Sequence, residues 1–256
     1  MSVALSEIRD DAGSQTAELA SFAAQLRFED LPADVIEKAK ICFRDALACC
    51  LFGVTQPWTR MLIDQAIEEG GNPRAGVIGS TLRTSVGQAV CIGATAGHGF
   101  ELDDIHGAAH LHAGSLAVPV ALALAELTQA SSGRNIIEAM IAGYEVGLRV
   151  GLAATGALFM RGHHFQATCG VFVAVATAVN MMRLPDHQAR HAFGIAGPFA
   201  CMFVLFKLQP LPYVALVPLV CWARVYLRAH TVAQVVAGVL LAVASTVLFF
   251  RLFHII

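Results

Sequence analysis

The stretch Ser85–Gln129, SVGQAVCIGATAGHGFELDDIHGAAHLHAGSLAVPVALALAELTQ, decides how the chain is read. Its opening, Ser85–His98, is rich in small residues and periodic, which predicts a closely packed buried helix. Its close, Ser115–Gln129, is again helical in pattern. Between them the polar stretch 101–114 completes a set of seven titratable groups, His98, Glu101, Asp103, Asp104, His106, His110 and His112, within fifteen residues. A loop between two apolar helices holds its side chains on a rigid scaffold, and carboxylates beside imidazoles can be tuned by burial and by each other for acid–base work.

Outward from this stretch the helical periodicity continues. Thr16–Leu26 carries apolar residues at helical spacing, and Leu31-Pro32 starts a helix that runs through IEKAKICFRDALACCLF to Gly53, with Pro in the first turn and Gly at the end. Pro57 opens another helix to about Glu69. The stretch GGNPRAGVIGSTLRTS is a loop with a short strand candidate at Gly76–Gly79. Arg134–Ala154 and Thr168–Met182 read as helices, and Leu184-Pro185-Asp186 starts one that reaches Gly194. The body is read as all-α.

Composition divides the chain. Of 256 residues 56% are hydrophobic and only 14% charged, yet all 19 acidic residues lie at or before Asp186. Thirteen of the 17 basic residues share residues 1–197 with them, a net charge of −6, and the other four give the tail 198–256 a charge of +4. A weakly acidic body without a basic run excludes nucleic acid as a partner. The seven cysteines contain no CxxC pair and lie mostly in apolar helical patterns, which reads as buried, reduced thiols. With no basic and apolar leader in MSVALSEIRDDAGSQ, the body is expected to be cytoplasmic.

Past Gly197 the texture is apolar. Residues 231–250 lie in an uncharged run and are long enough to span a bilayer, at about 20 residues for a hydrocarbon core of roughly 30 Å. The rival stretch 208–223 is broken by Pro210, Pro212 and Pro218. Membrane association through 208–250 is the expectation, with a fully buried core helix as its alternative.

Two readings of the histidines compete with acid–base chemistry. His106 and His110 are four apart with His112 close by, a spacing seen in metal sites. However, HxxxHxH after an acidic pair is not HExxH, and Gly107 and Gly114 argue against one regular helix, so no metal is expected. The second candidate segment is Met160–Gly170, MRGHHFQATCG. Here His163 and His164 stand at the entry of a helix and Arg161 could clamp a carboxylate.

Several of these runs resemble the MmgE/PrpD family in the same order: GFELDDIHGAAHLHAGSLAVPVALALAE, GYEVGLRVGLA, RGHHFQATCGVFVAVATAVNMMRL and HAFGIAG. The resemblance covers roughly residues 15–197. It implies a lyase that abstracts a proton next to a carboxylate and loses water or carbon dioxide, as 2-methylcitrate dehydratases and cis-aconitate decarboxylases do, without metal or cofactor. It also implies a cleft between a large helical domain and a smaller lid. Carried over by motif, Asp103, Asp104, His112 and His164 are the catalytic candidates, and Glu101, His163 and Arg161 would bind substrate. A small di- or tricarboxylate is the implied substrate and a homodimer through the helical segment the implied assembly.

The sequence departs from that pattern at Ile105, where Thr is frequent, and at Glu101, where Asp is common. The family's downstream cations and lid have no counterpart after HAFGIAG, which leads us to expect weak or no activity. The tail segment WARVYLRAHTVAQVVAG, residues 222–238, resembles the last signature of type 2 phosphatidic acid phosphatases, with Arg224 and His230 at matching spacing but Ala223 and Gln234 in place of Ser and Asp. Three functions therefore stay open: a lyase segment, a membrane phosphatase remnant, and a non-catalytic dimerising scaffold. The domains expected are 1–197 and 198–256.

Overall fold

The computed structural model describes residues 5–129, 132–154, 157–160 and 163–206, and those up to Val204 belong to one compact unit. Arg161, the candidate span 231–250 and the phosphatase-like Arg224 and His230 lie outside the described residues. Ten helices are described: α1 Leu5–Gln25, α2 Ala33–Gly53, α3 Pro57–Glu69, α4 Val86–His98, α5 Gly114–Thr128, α6 Gly133–Ala154, α7 Ala157–Met160, α8 Phe165–Thr168, α9 Gly170–Met181 and α10 Asp186–Phe206. The described residues are mostly helical, as the periodicity predicts. None of these helices is long and apolar enough to cross a membrane.

Local signals explain most boundaries. Pro57 sits in the first turn of α3 behind an extended Gln56, and α3 ends at Gly70, whose φ of 68° suits glycine. Ser85 caps α4 by accepting the N–H of Gln88. The strand candidate at Gly76–Gly79 is realised as a two-residue antiparallel pair, β1 Ala75–Gly76 with β2 Arg83–Thr84, and Gly79 at φ 74° lies in the connection.

Two helices differ from the sequence pattern. The helix expected over Thr168–Met182 is α9, Gly170–Met181, and is preceded by a one-turn helix, α8, with Cys169 capping both. Helix α10 does not stop at Gly194 but continues through Gly197 to Phe206. An interior glycine costs a helix only about 1 kcal/mol, too little to end it where the upstream face is anchored, as Ala189 and Phe193 are in the core.

Helix α6 packs along α9, while α4 lies between α2 and α5. The α6–α9 approach depends on glycine: a Cβ at Gly143 would lie 2.1 Å from Thr177 Oγ1, and one at Gly147 would lie 2.2 Å from Val173 Cγ2. Around this seam Leu111, Met140, Val118 and Val173 are fully buried. Leu111 therefore ties the end of the polar stretch into the core, and truncating such a side chain typically costs about 2–5 kcal/mol.

Buried polar groups fix the remaining corners. Glu138 of α6, with a side chain only 3% exposed, pairs with Arg183 and accepts the Phe28 N–H at 2.9 Å, so the α1–α2 connection is held onto α6. Asn180 Nδ2 donates to the carbonyls of Ala23 and Leu26, at 2.9 and 3.1 Å, and closes the end of α1.

Candidate active site

The polar stretch leaves α4 at His98 and rejoins the core at Leu111, where His106 and Leu111 form an isolated antiparallel bridge. This excursion turns back on itself through Glu101 and His110, both at positive φ. The return folds His112 onto the end of α4. Asp103 Oδ1 consequently lies 3.2 Å from Nδ1 of His98 and 3.2 Å from Nδ1 of His112. His112 Nδ1 is also 3.2 Å from the Asp103 carbonyl oxygen. The Asp103 side chain has no solvent exposure, while the two imidazoles keep 18% and 15%.

The hydrogen bond from His98 to Asp103 raises the His98 pKa, and burial opposes it less strongly. An imidazolium at His98 is thus favoured beside a buried carboxylate. Two acceptors on Asp103 face His112 Nδ1, which selects the tautomer with hydrogen on Nδ1 and a lone pair on Nε2.

His164 joins from the other motif. It stands at the N-cap of α8, exposed, with its ring 5.7 Å from that of His98, and the nitrogens of His98 and His164 and a Glu101 oxygen lie within 4.8 Å of one another. Gln166, two residues on, fixes the two motifs together: it accepts the His112 N–H at 3.1 Å and donates to the His112 carbonyl at 2.7 Å and to Ser115 Oγ at 2.9 Å.

The other candidates are elsewhere. Asp104 turns away from the imidazoles: its Oδ2 accepts the Tyr144 hydroxyl at 2.9 Å and its backbone N–H donates to Asp45 Oδ2 at 2.9 Å. Burial pushes the Asp104 pKa up, with Asp45 and Asp103 adding to it and the Tyr144 bond opposing. His163 is buried at 6% exposure, behind His164 rather than beside it. His106 accepts the Ala109 N–H at Nδ1, and His110 lies against Phe165. The HxxxHxH spacing therefore does not gather into one cluster. Among the described residues, the groups close enough for a shared ion are His98–Asp103–His112 and His98–Glu101–His164.

Thiol chemistry is disfavoured. Burial raises the Cys42 pKa, pushes Cys49 up to about 11 and pushes Cys50 up to about 12, which keeps these α2 thiols protonated.

His98 belonged to the sequence cluster but carried no role there. Its position at the end of α4 was the available signal, since a reversal of the chain just beyond a helix end returns the next residues to that end. Asp45, Tyr144 and Gln166 had none: Asp45 and Tyr144 meet Asp104 across 59 and 40 residues of chain, and Gln166 meets His112 across 54.

The family model for the MmgE/PrpD N-terminal domain matches residues 17–206. The chain belongs to the MmgE/PrpD family. It is 34% identical over 194 residues to the cis-aconitate decarboxylase-like protein oryM of Aspergillus oryzae, a match covering 72% of this chain and 40% of that protein. It is 31% identical over 191 residues to the cis-aconitate decarboxylase of Aspergillus terreus, covering 73% and 39%. The chain thus spans about two-fifths of the length of these curated relatives.

Proposed function

We propose that this chain carries the helical part of a lyase site that acts on a small di- or tricarboxylate by acid–base chemistry, either taking a proton from carbon and expelling water, or expelling carbon dioxide and delivering a proton to the carbon left behind. The observation that carries the reading is one buried carboxylate, Asp103, holding two partly exposed imidazoles at equal distance. An acid and a base held side by side on a rigid scaffold are what proton abstraction next to a carboxylate needs. The names of the Aspergillus relatives support a tricarboxylate as substrate.

The roles divide by environment. His112, with Nδ1 committed to Asp103, offers the Nε2 lone pair as base. His98, favoured as an imidazolium, binds a substrate carboxylate and stabilises the negative charge that develops on proton removal. His164 returns or accepts the second proton from its exposed N-cap position. Asp104 shapes the loop through Tyr144 and Asp45 rather than acting on substrate. Arg161 lies outside the described residues, and a carboxylate held among the described ones by one imidazolium alone binds weakly, since each charge-assisted hydrogen bond contributes about 1.5–3 kcal/mol. Low turnover by this chain is the expected consequence.

Incubating the purified chain with cis-aconitate and with 2-methylcitrate tests this, measuring released carbon dioxide and formation of the unsaturated product. Slow turnover that disappears in His112→Ala supports the assignment. Turnover indifferent to both His112→Ala and Asp103→Asn would overturn it.

A further inference from the structure

The arrangement of His98, Asp103 and His112 is also that of a metal-binding triad. In a tetrahedral zinc site the metal–ligand bonds of about 2.0–2.2 Å put neighbouring ligand atoms roughly 3.3 Å apart. Here the Asp103 Oδ1 to Nδ1 separations are 3.2 Å on both sides, and all three ligand atoms lie within 4.8 Å of one another. Independently, Asp103 Oδ2 is buried with no hydrogen-bond partner among the described residues, although the residue is only 4% exposed. A buried carboxylate with an oxygen that no described group satisfies leaves room for a further electropositive partner beside the two imidazoles, and a divalent cation supplies it.

We propose that Asp103, His98 and His112 bind a tetrahedral divalent transition-metal ion of the Zn2+ type, and that this ion switches the acid–base site off. Imidazole nitrogen with carboxylate oxygen favours Zn2+, Co2+ or Cu2+ over Mg2+ and Ca2+, which take oxygen ligands. Three protein ligands leave the fourth position to water. The 15–18% exposure of the imidazoles gives the ion a route in.

The inhibition rests on the lyase reading, but the binding does not. To coordinate through Nδ1, each imidazole gives up its Nδ1 hydrogen, and the neutral ring carries its hydrogen on Nε2 instead. His112 then has no lone pair left for proton abstraction.

The test is titration of the purified full chain with Co2+, read by the visible d–d absorption of tetrahedral cobalt, and then displacement with Zn2+. A single saturable site is expected. His98→Ala and Asp103→Asn should each weaken Co2+ binding by more than the roughly 10–100-fold that loss of a mere outer partner gives. His187→Ala, an exposed histidine of α10, should bind as the wild type does. Circular dichroism of each variant checks that the helical fold survives, and His112→Ala provides a third variant if one does not fold. Cobalt that stays octahedral, or binds equally to wild type and to folded His98→Ala, overturns the site. The cobalt spectrum needs no turnover, so a chain that binds Co2+ but, in its metal-free form, acts on neither tricarboxylate would refute the lyase reading and leave the cation site standing.

Discussion

Asp103 and Asp104 are adjacent in sequence and identical in chemistry, yet they face different worlds. Asp103 looks towards two imidazoles with a route to solvent, and Asp104 looks towards Tyr144, Asp45 and the protonated thiol of Cys42. The chain bends at Asp103, so that one carboxylate meets the imidazoles while its neighbour fastens the loop to α6 and α2. The lesson is that an acidic pair in a motif can divide between two environments.

The largest effect expected from this contrast is on turnover. Asp103→Asn removes the carboxylate charge that sets both imidazoles and should lower the rate by about 10²–10⁴-fold, whereas Asp104→Asn should lose far less. Equal losses from the two variants in a steady-state assay would erase the distinction.

Next comes the wall behind Asp104. A Cβ at Gly114 would lie 2.2 Å from Asp104 Oδ1 and 2.6 Å from the Tyr144 hydroxyl, so Gly114→Ala must displace the loop or the helix. Denaturant unfolding should show a loss of about 1–3 kcal/mol or more. A fully stable Gly114→Ala protein would mean that Asp104 is not held against Tyr144 and the start of α5.

Tyr144→Phe keeps the ring and removes one donor. Because the Asp104 carboxyl is buried, leaving its Oδ2 unpaired should cost about 1–3 kcal/mol in the same measurement, with little change in turnover.

The smallest effect is the pH dependence of stability, and it separates the two carboxylate environments by window. His98 is raised above its ordinary 6.5 when folded. Its pairing with Asp103 therefore stabilises fully below about 6.5, and that contribution is lost as pH rises through the higher folded value. Asp104 is also raised, from 3.8, so its contribution is present below that value and lost as pH rises through its own folded pKa. Unfolding free energies measured across pH should lose the upper slope in His98→Gln and the lower one in Asp104→Asn.

Much of this was legible in the chain itself. The boundaries of α3, α4 and α6 lie within a residue or two of their sequence signals, because Pro57, Ser85 and Gly70 act locally. The end of α10 was not, since its continuation past Gly194 depends on the upstream face that Ala189 and Phe193 bury. In the site, His112 and His164 were marked by their motifs, but His163 and His164 are neighbours of which one is buried and the other exposed at the N-cap of α8, a difference their residue type does not encode.

By itself the sequence determined that the body is helical, that acidic and imidazole groups cluster between two apolar helices, and that they keep the order of one enzyme family. Those properties rest on periodicity, capping and residue type, all of which act over a few residues. Only the tertiary structure decided which carboxylate meets which imidazole, that His98 joins His112, and that Gln166 and Tyr144 hold the loop from distant helices. Those contacts depend on how helices α2, α4, α6 and α8 converge, and no local signal in the chain encodes that convergence.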